Sequence, residues 1–228
     1  CSSETKCVAD ASCVSGTTRT VCKTGCSYST IQSALSASSY NDKVEINDSA
    51  TYNEFVKWPN ANGIVLDCKG ATLQGYGSLK GIYMNNTDEN TVRNCNIKNY
   101  GQGIYLDPSS GYNILENNIS NNNDYGIFFQ GTNLINCPIL NKIKDNIIQN
   151  NRISGIRLYP GRENKIQNNK ISGHTYGIHI QSNDGTNSYT TIESNNISNN
   201  DYGIYFIEND NMNPISDNIF CPSSTSYD

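Results

Sequence analysis

No apolar run in this chain reaches the roughly 18 residues needed to span a bilayer. Charge is scarce as well. Asp, Glu, Lys and Arg make up 16% of the residues, and a net charge of -5 leaves no basic footprint for nucleic acid or for an anionic membrane. No Cys-x-x-Cys pair occurs, which argues against a structural zinc site. Only two histidines are present, His174 and His179, set around a tight turn. A copper or zinc site would need more ligands than these, so no metal and no cofactor is expected. No signal peptide opens the chain. Cys1 is therefore expected to follow a cleavage site or to be a lipid-modified terminus.

What the chain has instead is asparagine, cysteine and repetition. Nine cysteines fall within 228 residues, a length that suits one all-β domain. Cys1, Cys7, Cys13, Cys22 and Cys26 crowd the first segment, a density typical of disulfide staples made in an oxidising compartment. Sequons at Asn47, Asn85, Asn118 and Asn196 are glycosylation candidates and fit an extracellular or cell-surface location.

The repetition sets the fold. Gly-Ile, any residue, then a bulky apolar residue recurs at Gly81-Ile82-Tyr83-Met84, Gly103-Ile104-Tyr105-Leu106 and Gly126-Ile127-Phe128-Phe129. It returns at Gly155-Ile156-Arg157-Leu158, Gly177-Ile178-His179-Ile180 and Gly203-Ile204-Tyr205-Phe206. Between copies lies an apolar residue, an Asn three positions on, and an apolar residue two further: Ile114-Asn117-Ile119, Ile143-Asn146-Ile148, Ile166-Asn169-Ile171 and Ile192-Asn195-Ile197. A period of about 22 to 29 residues is the mark of a solenoid. Each apolar pair is too small to form a core alone and must stack on its neighbours. The expected architecture is an all-β, right-handed parallel β-helix of about seven coils over residues 46–221. Residues 1–26 read as a Cys-rich lead-in, residues 27–45 as a short capping helix with Ser29 or Thr30 as N-cap followed by a first strand, and residues 222–228 as a tail.

Parallel coils sit about 4.8 Å apart, so equivalent side chains stack. Asn117, Asn146, Asn169, Asn195 and Asn218 are expected to form a buried amide ladder, each donating to one neighbour and accepting from the other. Cys95 occupies the same register one coil earlier. Cys95 and Cys68 are assigned to the interior as thiols, which leaves Cys1, Cys7, Cys13, Cys22, Cys26, Cys137 and Cys221 as disulfide candidates. Cys137 and Cys221 lie roughly 14 Å apart along the axis, too far to pair with each other. Gly before each Ile marks a tight bend or a positive φ. The Asn121–Asp124 and Asn199–Asp201 runs suggest calcium, but their recurrence at one turn is better explained by polar turn chemistry.

The repeats and the segments Tyr28-Ser29-Thr30-Ile31-Gln32, Ala50-Thr51-Tyr52-Asn53-Glu54 and Gly63–Gly70 resemble the pectin-lyase-like superfamily of parallel β-helices. The resemblance is nearest to its NosD-like branch with carbohydrate-binding and sugar-hydrolase repeats, and it covers roughly residues 27 to 221. The resemblance implies a sugar-related activity or a scaffold. Enzymes of this superfamily use carboxylates or a basic residue beside the sheet. Asn86-Thr87-Asp88 matches the first polygalacturonase signature, yet no Asp-Asp, Gly-His-Gly or Arg-Ile-Lys follows it, and the Arg-rich pectate lyase signature is absent too.

The outward residues of the Gly-Ile strands form one row: Tyr83, Tyr105, Phe128, Arg157, His179 and Tyr205. Such a row can stack on sugar rings, stabilise the sheet by itself, or form an interface. Catalytic candidates near it are Asp107, Arg157, Arg162, His179, Asp184, Glu208 and Asp210. Asp107 and Glu208 lie roughly 19 Å apart, too far to cooperate as a glycosidase pair, whereas Glu208 and Asp210 share a loop. The leading expectation is a secreted, non-catalytic filament or cell-surface subunit that associates head to tail, with cysteine bonds to the next subunit. The alternative is a polysaccharide lyase, hydrolase or glycan-binding module that uses the row.

Overall fold

The computed structural model describes residues 5–7, 13–108, 110–132, 136–181, 189–207 and 213–221. It is a parallel β-solenoid of about eight turns, where about seven coils are expected from the sequence. The stack begins at Thr18–Val21, which pairs in parallel with Lys43–Ile46. Thr5–Cys7 and Cys13–Ser15 form a separate antiparallel pair. The single helix among the described residues, Ile31–Ser36, packs Ile31, Ala34 and Leu35 onto the first turn. Thr30 is its N-cap, the hydroxyl accepting from the Ser33 N–H at 3.2 Å.

Each turn repeats one plan. One sheet carries the Ile-x-x-Asn-x-Ile phrases, and a seven-stranded sheet carries the Gly-Ile phrases. Inward residues form apolar columns: Val44, Leu66, Val92, Leu115, Ile143, Ile166 and Ile192 make one, and Ile82, Ile104, Ile127, Ile156 and Ile178 another. All of these are fully buried. Burying such a side chain is worth roughly 1.5–3 kcal/mol, repeated on every turn.

The corners hold the plan together. In most turns a residue with positive φ is followed by a buried polar side chain. Asp145, Asn168 and Ser194 precede Asn146, Asn169 and Asn195; Tyr112, Leu140 and Glu163 precede Asn113, Asn141 and Asn164; Asn121, Asn150 and Asn199 precede Asn122, Asn151 and Asn200. The left-handed residue turns the chain, and the next side chain points in. In the ladder expected from the sequence, the Asn169 carbonyl oxygen accepts from the Asn146 N–H at 3.0 Å and from Asn146 Nδ2 at 2.8 Å. Asn169 Nδ2 donates to Asn195 Oδ1 and to the Ile143 carbonyl, both at 2.9 Å. Asn117 and Asn218 are the outer members, and Cys95 N–H donates to Asn117 Oδ1 at 3.1 Å.

Two further ladders were not anticipated. Asn90, Asn113, Asn141 and Asn164 form one, and Asn122, Asn151, His174 and Asn200 the other. His174 stands in for an amide. Its Nε2 lies 3.2 Å from the Ile148 carbonyl, where the asparagines place Nδ2, and its Nδ1 lies 3.1 Å from the Asn151 nitrogen, where they place Oδ1.

Several expectations need correction. Cys68 and Cys95 are not thiols but a disulfide, with Cα atoms 4.8 Å apart. They face each other on adjacent turns, so one covalent bond continues the amide ladder at its first members. Cys22 pairs with Cys26. Cys137 is a buried thiol and Cys221 an exposed one. Cys1 lies outside the described residues. The 114–120 segment is one continuous strand, and Leu115, not Ile114, is the equivalent of Ile143. One residue fewer separates it from its Asn, and no positive-φ residue is needed there. The Gly-Ile glycines have no positive φ either. They are required by close approach, because a Cβ on Gly103 would meet the Gly126 carbonyl at 2.6 Å.

The ladder makes a direct prediction. Asn169→Leu removes an acceptor from two buried donors and a donor from the Ile143 carbonyl, and should cost about 1–3 kcal/mol or more. The neighbouring Asn168 has φ of 56°, so Asn168→Gly, which tolerates that conformation, should change stability little. Denaturant midpoints of the two variants check this; equal midpoints would refute the ladder's role.

Candidate functional site

Strand alternation and the parallel register stack the outward residues of the Gly-Ile sheet. The column reads Lys57, Tyr83, Tyr105, Phe128, Arg157, His179, Tyr205. Lys57 heads it and was not legible, because Val56-Lys57 carries no Gly-Ile phrase. A second column, Lys80, Gln102, Tyr125, Ser154, Tyr176, Tyr202, runs beside the first. The rings interlock. Tyr105 meets Phe128 edge-on at 5.2 Å, Tyr125 meets Phe128 at 4.8 Å, and Tyr176 lies 4.8 Å from His179 and stacks on Tyr202 at 5.3 Å. The column is not wholly exposed as a bare row would be. Most members are half-buried, and His179 is 4% exposed.

Charge is distributed along this face. The Lys80 ammonium sits 3.6 Å from the Tyr105 ring centre and 4.3 Å from that of Tyr83, an arrangement favoured by the ring quadrupole. Burial lowers the Lys80 pKa. The Tyr83 hydroxyl donates to Asp107 at 2.6 Å. Burial, then that carboxylate, pushes the Tyr83 pKa up to about 12, and burial does the same for Tyr105.

Further along, Arg157 Nη1 lies 3.0 Å from His179 Nδ1, and Nη2 donates to Gln181 at 2.9 Å. Burial first, and the Arg157 charge second, lower the His179 pKa to about 4. The ring is therefore neutral at pH 7, with Nδ1 accepting from Arg157. That leaves the proton on Nε2, which is buried and has no hydrogen-bond partner among the described residues. Of the catalytic candidates among the described residues, only Arg157 and His179 are brought together. Arg162 pairs with Glu163 at 3.1 Å, and Asp107 is engaged by Tyr83. Asp184, Glu208 and Asp210 lie outside the described residues. The sequon residues Asn47, Asn85, Asn118 and Asn196 are all exposed.

This fold and face define a parallel β-helix of the pectin-lyase-like kind. The chain belongs to the family described as periplasmic copper-binding protein (NosD), which matches residues 15–228. No curated protein matches the chain. Among solved structures it is similar to an alginate lyase from Paenibacillus sp. str. FPU-7, at 20% identity and a TM-score of 0.63, covering 89% of this chain and 76% of that one. It is also similar to the periplasmic alginate epimerase AlgG, at 13% identity and a TM-score of 0.62, covering 79% and 51%. Pectate lyase Pel9A follows at 12% identity and a TM-score of 0.60, covering 81% and 55%. The chain thus spans about half the length of the latter two proteins. At these identities the likeness is one of fold.

The described residues do not fit the copper of the family's description. No three His, Cys, Asp or Glu side chains converge among them. Both His174 ring nitrogens face backbone groups, and the His179 Nδ1 faces a guanidinium, whose charge repels a second cation.

The histidines make stability depend on pH. Burial lowers the pKa of both His174 and His179 below the ordinary 6.5. The unfolded chain therefore binds more protons, and stability is full above about pH 6.5 and is lost as pH falls toward about 4. Urea midpoints should follow that course, and His174→Asn, which restores an amide to the ladder, should lessen the decline. An identical decline in the variant would contradict the placement of His174.

Proposed function

We propose that the protein binds an acidic polysaccharide along the Gly-Ile sheet, the chain lying parallel to the solenoid axis. The observation that carries this reading is the column of rings set with cations: Lys57 at its head, Arg157 among the later rings, and Lys80 reaching over Tyr105 from the neighbouring column. Rings offer flat apolar faces to pyranose rings, and the cations suit carboxylates. Successive rungs are about 4.8 Å apart, a spacing of the same order as one sugar unit in a linear polyuronate. The face carries this positive charge on a chain whose net charge is -5.

The similar solved structures are named for alginate and pectate, both polyuronates, and this supports the polysaccharide reading over the filament subunit. The two disulfides among the described residues fit an oxidising compartment. An extracellular or cell-surface location belongs to this proposal, as does glycan attachment at the exposed sequons.

Catalysis is the second reading. It is favoured by a buried His179 with a lowered pKa beside Arg157, the kind of tuned pair found in active sites. Binding is supported better, because the His179 lone pair is engaged by Arg157 and no free base lies beside it among the described residues.

Affinity electrophoresis in alginate and polygalacturonate tests the proposal. Tyr105→Ala and Arg157→Ala should each weaken retention at least tenfold, and added salt should weaken it further. Tyr112→Ala, at an exposed ring elsewhere on the solenoid, should not. Equal retention of all four proteins would refute the site. Release of unsaturated sugar that depends on Arg157 and His179 would shift the reading to a lyase.

A further inference from the structure

The column does not run freely off both ends of the sheet. Beside Tyr83 it meets a cleft of ≈ 500 Å³. The walls come from three parts of the chain: Gln32 and Ser36 of the helix, the segment from Lys57 to Asn60, and Asn85 with Asn86 after the first Gly-Ile strand.

The cleft is braced. The Glu54 carboxylate accepts from the Ile31 and Gln32 N–H groups at 3.1 and 3.0 Å and fixes the start of the helix. Gln32 then clamps Lys57 from both sides of its peptide: Oε1 accepts the Lys57 N–H at 2.7 Å, and Nε2 donates to the Lys57 carbonyl at 3.0 Å. Helix, cleft and the head of the column are therefore one unit held before any ligand arrives. Such pre-organisation lowers the entropy lost on binding.

The lining is rich in donors. Trp58 is 4% exposed, and its indole N–H is buried with no partner among the described residues. The exposed Lys57 ammonium makes no ion pair among the described residues. Asn60, Asn85 and Asn86 add exposed amides, and no carboxylate among the described residues lines the cleft. A cation, amides and an aromatic wall suit a sugar that carries a carboxylate. The helix closes the track beyond Lys57, so a glycan following the column toward this end meets a wall.

Resting on the polysaccharide reading above, we infer that this cleft is a terminal subsite, which holds the end residue of an acidic glycan with its carboxylate at Lys57 and its hydroxyls at the asparagine amides. The rest of the glycan lies over Tyr83, Tyr105 and the rungs beyond. Recognition is then specific for a chain end and sets the register of the sugars on the column.

The test uses the full chain and uronate pentamers in three forms: unmodified, blocked with a bulky aromatic amine at the reducing end, and blocked at the opposite end. Polymer binding is measured alongside. One of the two blocks should weaken binding at least tenfold and the other should not. Lys57→Ala should bring the unmodified pentamer down to the level of the blocked one, and Asn60→Asp, which adds a repelling carboxylate, should do the same. Pentamers that bind equally in all three forms, or an end preference that survives both substitutions, would overturn the inference. Polymer binding without an end preference sinks the terminal subsite alone. Failure of polymer and pentamers alike sinks the polysaccharide reading with it.

Discussion

A side-chain amide buried at a corner, hydrogen-bonded to its equivalents above and below, is the interaction on which this molecule depends. Chain turns expose backbone groups that β-pairing cannot satisfy, and burying them unpaired costs free energy at every corner. Here the oxygen of Asn169 takes the N–H that the Asn146 corner leaves open, and its nitrogen takes the Ile143 carbonyl. The same device runs along three corners of the solenoid. Because each amide needs a partner one turn away, the turns are locked in register. The outward columns inherit that register. Tyr105 lies over Tyr83 because Ile104 pairs with Ile82 and the corners admit no slippage. The outward face is thus a consequence of the core, and the Cys68–Cys95 bond extends the same alignment covalently between the early turns.

That face combines properties that ordinary sheet packing does not require. Stacked aromatics stabilise a parallel sheet without any ligand. Lys80 is compensated for its partial burial by the Tyr83 and Tyr105 rings and Arg157 by His179 and Gln181, yet burial still lowers the Lys80 pKa. Their position is accounted for if anionic groups lie on this face. The exposed Lys57, clamped through its backbone by Gln32, points to the same chemistry at the head of the column.

Much of the fold was readable from the Gly-Ile and Ile-x-x-Asn-x-Ile phrases, because apolar periodicity reflects packing that every turn must repeat. The first ladder was readable for the same reason, since its Asn sits at a fixed offset between two isoleucines. The ladders through Asn113 and Asn122 were hidden. Asn122 and Asn151 sit beside other asparagines that serve as left-handed corner residues, Asn121 and Asn150, and composition alone does not separate the two roles, whereas Asn113, Asn141 and Asn164 follow Tyr112, Leu140 and Glu163, corner residues that share no residue type. A rule of a corner residue followed by an inward amide would have found them. The Cys68–Cys95 bond was not legible from inward placement alone, which fits a thiol equally well, although two inward cysteines on adjacent turns are within bonding reach. Lys57 was not legible because it precedes the first Gly-Ile phrase, nor was the burial of His179, because sequence alternation gives direction but not what the neighbouring Tyr176 covers.

The most direct test of the account is hydrogen exchange at asparagine side chains. In the folded protein, the Nδ2 protons of Asn113, Asn146 and Asn169 should exchange as slowly as backbone amides of the central strands, since both open only when turns separate. The exposed Asn85 and Asn196 should exchange at nearly the rate of free amides. If the ladder asparagines exchange as fast as the exposed ones, the corners are not held by buried amides, and the register of the face must have another origin.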